Sequence, residues 1–166
     1  NLANLISKNI EKIKGPTYIR LDKGNLEYNS KINYNIEKGF ALIHSANNKK
    51  ILIITTGYFC KLAKNVSSSF QNVSVLNLFK FKNFDKKNFL NTVKKYKKII
   101  IYDENSKYGG IVSILSNLFI ERKVNLNIKI LASKDNQSFF YSQNRNDMLK
   151  KLKINEEKLI EIIKQL

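Results

Sequence analysis

The stretch from Lys97 to Ile120 limits the architectures open to this chain more than any other. Ile99, Ile100, Ile101 and Tyr102 form a short unbroken run of apolar β-formers, which suits a strand covered on both faces of a parallel sheet. The run stops at Asp103-Glu104-Asn105-Ser106, residues of loops and caps. Gly109-Gly110 then frees the backbone just before Ile111, Ile114, Leu115, Leu118 and Phe119 fall on one helical stripe. A strand, a polar turn and a helix N-terminus in that order are the repeating unit of open α/β sheets.

The same rhythm fills residues 39–166. Strands are predicted at Phe40–Ile43, Ile51–Thr56 ending in Gly57, Val73–Leu78 and Asn127–Leu131. Helices are predicted at Tyr58–Phe70 through Phe59, Leu62, Ala63 and Val66, weakened by Ser67-Ser68-Ser69, and at Asp85–Tyr96 with Phe89, Leu90 and Val93 inward. Asp147–Leu152 and Asn155–Leu166 close the chain as helices, the last with Asn155 as its cap and Glu156 and Glu157 on the dipole. The fold class implied is α/β in three layers, a mostly parallel sheet of about five strands with helices on both faces.

Upstream the pattern is different. Asn1–Lys14 is helical in spacing, Gly15-Pro16 stops it, Tyr18–Leu21 reads as a strand, and Leu26–Lys38 is polar without a firm period. Residues 1–26 therefore read as the last helix and strand of another unit, 27–38 as a linker, and 39–166 as the domain proper. The chain opens on Asn1 and its only methionine is Met148, so it reads as part of a longer product, with residues needed for chemistry upstream.

Apolar runs such as Ile51–Ile54 are far shorter than the roughly 18 residues of a membrane span, and no signal-peptide layout occurs. The single cysteine, Cys60, allows no internal disulfide and no thiolate cluster, which suits a reducing cytoplasm. Thirty Lys and Arg against thirteen Asp and Glu give a formal charge of +17, which raises the question of nucleic acid. The lysines are scattered along the sequence with no nucleic-acid motif, and a solvated basic surface is the favoured reading.

Ligands of open parallel sheets bind outside the carboxyl ends of the strands, where Thr55-Thr56-Gly57 and Asp103 to Gly110 both fall. A phosphate on the helix N-terminus is one reading. No G-x-G-x-x-G or G-x-x-x-x-G-K-[ST] pattern completes it, however, and two acids beside the site would repel phosphate. The other reading is structural: the glycines let the helix approach the sheet, and Glu104 bonds nearby backbone amides. His44, the only histidine, has no partner motif around it, and Asp103 and Glu104 are adjacent on a strand end and so diverge. The residues themselves offer no catalytic constellation.

Several segments resemble one family. Gly15-Pro16-Thr17-Tyr18-Ile19-Arg20-Leu21-Asp22-Lys23-Gly24 is similar to the G-P-x-Y-I-R-L-x-[KR]-G segment that closes the pyrimidine-binding domain of transketolases. Asp103-Glu104-Asn105-Ser106 with Gly109-Gly110-Ile111-Val112-Ser113 resembles the E-E-H-S-x-x-G-G-L-G-S signature of the transketolase C-terminal domain. Ile53-Ile54-Thr55-Thr56-Gly57, Phe81-Lys82-Asn83-Phe84-Asp85 and Arg145–Ile154 match further segments in order, so the resemblance covers nearly the whole chain. The departures are Asp103 for the first Glu, Asn105 for the His, Asn83 for a Pro and Val112 for a Gly.

The resemblance implies that residues 1–26 are the tail of a pyrimidine-binding domain and 39–166 a transketolase C-terminal domain. It also implies an enzyme that moves two-carbon ketol units between sugar phosphates with thiamine diphosphate and Mg²⁺. The family's G-D-G…N diphosphate motif is missing here, so no catalytic or cofactor-binding residue and no metal ligand is assigned to this chain. Gly57, Asp103, Glu104, Gly109 and Gly110 carry over as structural motif residues. Lys23 falls where family members contact a sugar phosphate through Arg, with Arg20 the second choice; a solvated basic turn is the competing reading. The implied partners are the N-terminal transketolase domains or subunit and a second copy in a homodimer. 1-Deoxyxylulose-5-phosphate synthase and 2-oxo acid dehydrogenase β subunits share this domain type and remain alternatives. A basic α/β nucleic-acid-binding module is the alternative of another class.

Overall fold

A computed structural model describes residues 2–22, 32–134 and 144–166. The strands are β1 (Phe40–His44), β2 (Ile51–Thr55), β3 (Val73–Leu78), β4 (Lys98–Ser106) and β5 (Asn127–Ser133). The helices are α1 (Leu2–Asn9, continued by a 3-10 turn at Ile10–Lys12), α2 (Phe59–Ser67), α3 (Lys86–Val93), α4 (Ile111–Glu121), α5 (Arg145–Lys151) and α6 (Glu156–Lys164). The sheet order is β1-β3-β2-β4-β5, with β1 antiparallel at one edge and the remaining pairs parallel.

The apolar runs fix this arrangement. All five residues of β2 and all six of β3 are buried, as central strands covered on both faces require. Alternate residues feed two cores. Leu52, Ile54, Leu76, Ile99 and Ile101 pack on one face against Phe89 and Val93 of α3 and Leu115 and Phe119 of α4. Ile53, Val75, Ile100 and Tyr102 pack on the other against α2, with Leu149 of α5 and Leu159 and Ile163 of α6. Full burial of one such side chain contributes about 1.5–3 kcal/mol, so the layers hold by area rather than by any single contact.

Four expectations are corrected. Tyr18–Leu21 forms no strand: among the described residues no backbone pairs with it, and Tyr18 is 89% and Leu21 67% exposed. Asp103–Ser106 is not loop but the continuation of β4, with its register to β5 broken between Tyr102 and Ser106 before pairing resumes at Ser106 and Ser133. Asn155 does not cap α6 through an amide bond; its side chain donates to Glu157 instead, at 2.8 Å. Glu104 bonds no backbone amide among the described residues, for reasons given below. In the stretch read as a linker, Ile32 and Tyr34 pack against the second core, and Tyr34 meets Phe79 edge-on at 5.5 Å.

Candidate functional site

The strand order reverses direction at β2: the chain goes from β2 to β3 on one side, and β4 lies on the other. Helices α2 and α4 leave on opposite faces, so the turns after β2 and β4 diverge at the carboxyl edge, the place where such sheets bind ligands. Gly57 makes the turn between β2 and α2 with φ of +57°. Thr55, at the last position of β2, is fully buried beside Asn77 in register.

Asp103 organises the β4–α4 turn. Its carboxyl is fully buried and accepts from the Ile111 amide at 3.0 Å through Oδ2, and from the Asn105 amide (3.0 Å) and Asn105 Nδ2 (2.9 Å) through Oδ1. An acid thus occupies the first turn of α4, where orphan amides and the helix dipole favour negative charge. Gly110 is required by this contact, because a Cβ there would collide with Asp103 Oδ2. Gly109, at φ +80°, closes the turn and donates its amide to Ser113 Oγ at 2.9 Å. This is the bonding that the sequence reading gave to Glu104.

Glu104 points elsewhere. It accepts from Arg145 Nη2 at 2.6 Å, while Arg145 Nη1 donates to both carboxyl oxygens of Asp22 at 3.1 and 2.8 Å. The guanidinium lies over the Tyr58 ring, 3.9 Å from its centroid, and Phe59 next in sequence meets Tyr102 at a 40° tilt with ring centroids 4.3 Å apart. Burial works against the charge of Arg145, but the bonds and charges of Glu104 and Asp22 outweigh it and hold its pKa above the ordinary value. One arginine therefore ties the N-terminal segment, the end of β4 and the start of α2 to α5. A planar fork with a π face can satisfy two acids and a ring at once, which an ammonium cannot.

Of the residues expected to act, Asp103, Gly109 and Gly110 come together in one turn, with Glu104 in the adjoining clasp, and Gly57 stands in the turn between β2 and α2. Arg20 is exposed and forms no salt bridge among the described residues. Lys23 lies outside the described residues. His44 is half-buried at the end of β1, its pKa lowered first by burial and then by Lys64. Arg145 and Tyr58 were missed. The available signal was rarity: only Arg20, Arg122 and Arg145 are arginines among 30 basic residues, so each was a candidate for contacts that lysine cannot make, and Arg145 makes them.

The arrangement suits fastening rather than holding an anion, because the α4 N-terminus already carries a carboxyl. Among the described residues no group of three or more His, Cys, Asp or Glu could hold a metal ion, and no helix is long and apolar enough to cross a membrane.

Comparison with known proteins adds a family. The family model described as transketolase, C-terminal domain, matches residues 39–159. A curated 1-deoxy-D-xylulose-5-phosphate synthase from Alkaliphilus oremlandii is 24% identical over 161 residues, covering 93% of this chain and 25% of that protein. The chain thus spans about a quarter of the length of that curated relative. Among solved structures, a split gene transketolase described as an inactive beta4 tetramer superposes with a TM-score of 0.77 at 16% identity, over 96% of this chain and 52% of that one. Transketolase from Leishmania mexicana superposes with a TM-score of 0.58 at 13% identity, over 79% of this chain and 18% of that one. At such identities the likeness is one of fold.

Proposed function

This chain belongs to the transketolase C-terminal domain family, and we propose that it is the non-catalytic C-terminal part of a thiamine-diphosphate enzyme that transfers two-carbon ketol units between sugar phosphates. Its work is assembly. The observation that carries this reading is the Asp22–Arg145–Glu104 clasp, which fastens the segment leading in from residues 2–22 onto the carboxyl edge of the sheet domain. By this reading residues 1–26 end a pyrimidine-binding domain, residues 39–166 are the C-terminal domain, and the clasp sets the angle between them. The split gene transketolase, of whose chain this one covers 52%, is described as an inactive beta4 tetramer, which supports a role in assembly. Catalytic partners would here be the N-terminal domains or subunit, with a second copy completing a dimer in the cytoplasm.

The residues at the carboxyl edge do not fit the cofactor's diphosphate. The helix end that would receive it is taken by Asp103, and Glu104 stands beside it. Thiamine diphosphate and Mg²⁺ belong to the partner part of the enzyme in this proposal. Sugar phosphate remains assigned to Lys23 and then Arg20, on the resemblance of their segment.

The test is a ketol-transfer assay with thiamine diphosphate and Mg²⁺, on this chain alone and then with the protein encoded immediately upstream. Activity only in the mixture supports the proposal; activity from this chain alone, or inactivity in both, overturns it. The curated relative motivates a second reading, the C-terminal part of a 1-deoxyxylulose-5-phosphate synthase. Condensation of pyruvate with glyceraldehyde 3-phosphate by the same mixture, without ketol transfer, selects that reading instead.

A further inference from the structure

We propose that the amino edge of the sheet, at the far end from the clasp, is a docking surface for the phosphate backbone of duplex nucleic acid, taken without regard to base sequence. The fold assembles this edge from loops distant in sequence. Ile51 is in register with Val73 and with Lys98, and Lys98 with Asn127, so four parallel strands begin abreast. The amides of Lys97 and Lys98 both donate to the Lys50 carbonyl, at 3.0 and 3.1 Å, which sets the β1–β2 and α3–β4 loops side by side. At about 4.8 Å per strand the row spans roughly 14 Å.

Those two loops bring Lys49, Lys50, Lys94, Lys95, Lys97 and Lys98 together, all exposed except the half-buried Lys98. The α4–β5 loop adds Arg122 and Lys123, also exposed. No Asp or Glu occurs in residues 45–50, 68–72, 94–98 or 122–126; Glu121 adjoins the last of them. None of the eight cations forms a salt bridge among the described residues. Asp22, Asp103 and Glu104 lie at the other end.

Three observations choose the occupant. The segment leading to any upstream domain is fastened at the carboxyl edge, so the amino edge faces away from it. The aromatic residues of these loops, Tyr96 and Phe70, are buried and half-buried, so the edge offers no platform for stacking single-stranded bases. A duplex carries one charge per about 1.7 Å of axis with both strands counted, so roughly eight phosphates along 14 Å are the upper limit for such a row, and lysines serve as point charges without reading bases.

The experiment is fluorescence anisotropy of a random-sequence duplex titrated with the full protein at several salt concentrations. At that limit of eight contacts the slope of log K against log salt is about −7, so affinity falls by up to about ten-thousandfold between 50 and 200 mM. Replacing Lys49, Lys50, Lys97 and Lys98 by Gln takes the slope to about −4. A matched variant with Lys8, Lys12, Lys86 and Lys87 replaced by Gln has the same net charge and keeps it near −7. Equal loss in both variants, or binding without salt dependence, overturns the proposal, as does capture of phosphatidylserine vesicles in place of the duplex. Lysine acetylation of the unsubstituted protein, read by mass spectrometry, gives a second arm. Protection by duplex confined to the amino-edge lysines supports the proposal, and protection elsewhere or nowhere refutes it.

Discussion

Asp103 and Gly110 should behave as one unit when mutated, because each occupies the space the other leaves. Asp103→Ala strands the Ile111 amide at a buried helix start and removes two bonds to Asn105. A buried donor left unpaired costs about 1–3 kcal/mol, and each lost bond to Asn105 about 0.5–1.5, so the single variant loses about 3 kcal/mol. Gly110→Ala tests space alone, since φ −92°, ψ −163° is extended backbone open to alanine. The new Cβ meets Asp103 Oδ2 and lies 3.2 Å from the Ser106 carbonyl. The carboxyl must swing away and release Ile111, at about 2 kcal/mol. With Asp103 already replaced, the main collision is gone and the alanine adds under about 1 kcal/mol. The double variant therefore loses about 3.5 kcal/mol where independent sites would lose about 5. Urea denaturation of all four proteins at constant m measures this. Losses that add to within about 0.5 kcal/mol would refute the coupling and the role given to Asp103.

Three further outcomes follow from other contacts. Arg145→Ala should cost about 2 kcal/mol, a figure discounted for the partial exposure of both ion pairs, and should quicken tryptic cleavage at Arg20; unchanged cleavage would separate the clasp from the N-terminal segment. Tyr102→Phe removes the 2.7 Å bond from its hydroxyl to the Ile154 carbonyl and should cost about 1–2 kcal/mol in the same urea assay; an unchanged midpoint would mean that this carbonyl finds another partner. The folded-state pKa of His44 lies below its ordinary 6.5, so stability is unaffected above that value and falls as pH drops from 6.5 through the lower folded pKa. His44→Gln should flatten that part of the profile relative to the parent, and parallel curves would refute it.

The layers of this fold were legible because burial on two faces leaves a one-dimensional record. Ile99 to Tyr102 is a continuous apolar run, and Val73 to Leu78 is mostly apolar with Ser74 and Asn77 buried within it, a pattern that suits a parallel sheet sandwiched by helices. Helix α3 was legible for the same reason, with Phe89, Leu90 and Val93 on one side and Asp85 in place to accept from the Asn88 amide at 2.9 Å. The length of β4 was not. Asp103 to Ser106 has loop composition, yet backbone pairing carries it on beside β5 and the buried carboxyl finds its donors in a helix eight residues away. Propensity describes a residue in isolation, and here tertiary bonding overrode it. Tyr18–Leu21 failed in the opposite sense: its β-forming composition is real, but a strand exists only where another backbone pairs with it.

The two sites show why position in a fold must be known before charge can be interpreted. Along the sequence Lys49 and Lys98 are separated by two strands and two helices, and the lysines look evenly spread. Parallel strands all start at the same edge, so every loop entering a strand delivers its charges there, and segregation hidden in sequence becomes a property of the sheet. Arg145 is the converse case. Its partners Asp22, Tyr58 and Glu104 stand 123, 87 and 41 positions away, and no local pattern links them. What linked them in advance was chemistry: in a chain that uses lysine almost everywhere, an arginine between two acids and over a ring does what lysine's single point of charge cannot. A lysine at 145 tests that step, since it keeps the charge while losing the fork and the stacking. It should recover less than half of the stability lost in Arg145→Ala, and full recovery would show that charge alone closes the clasp.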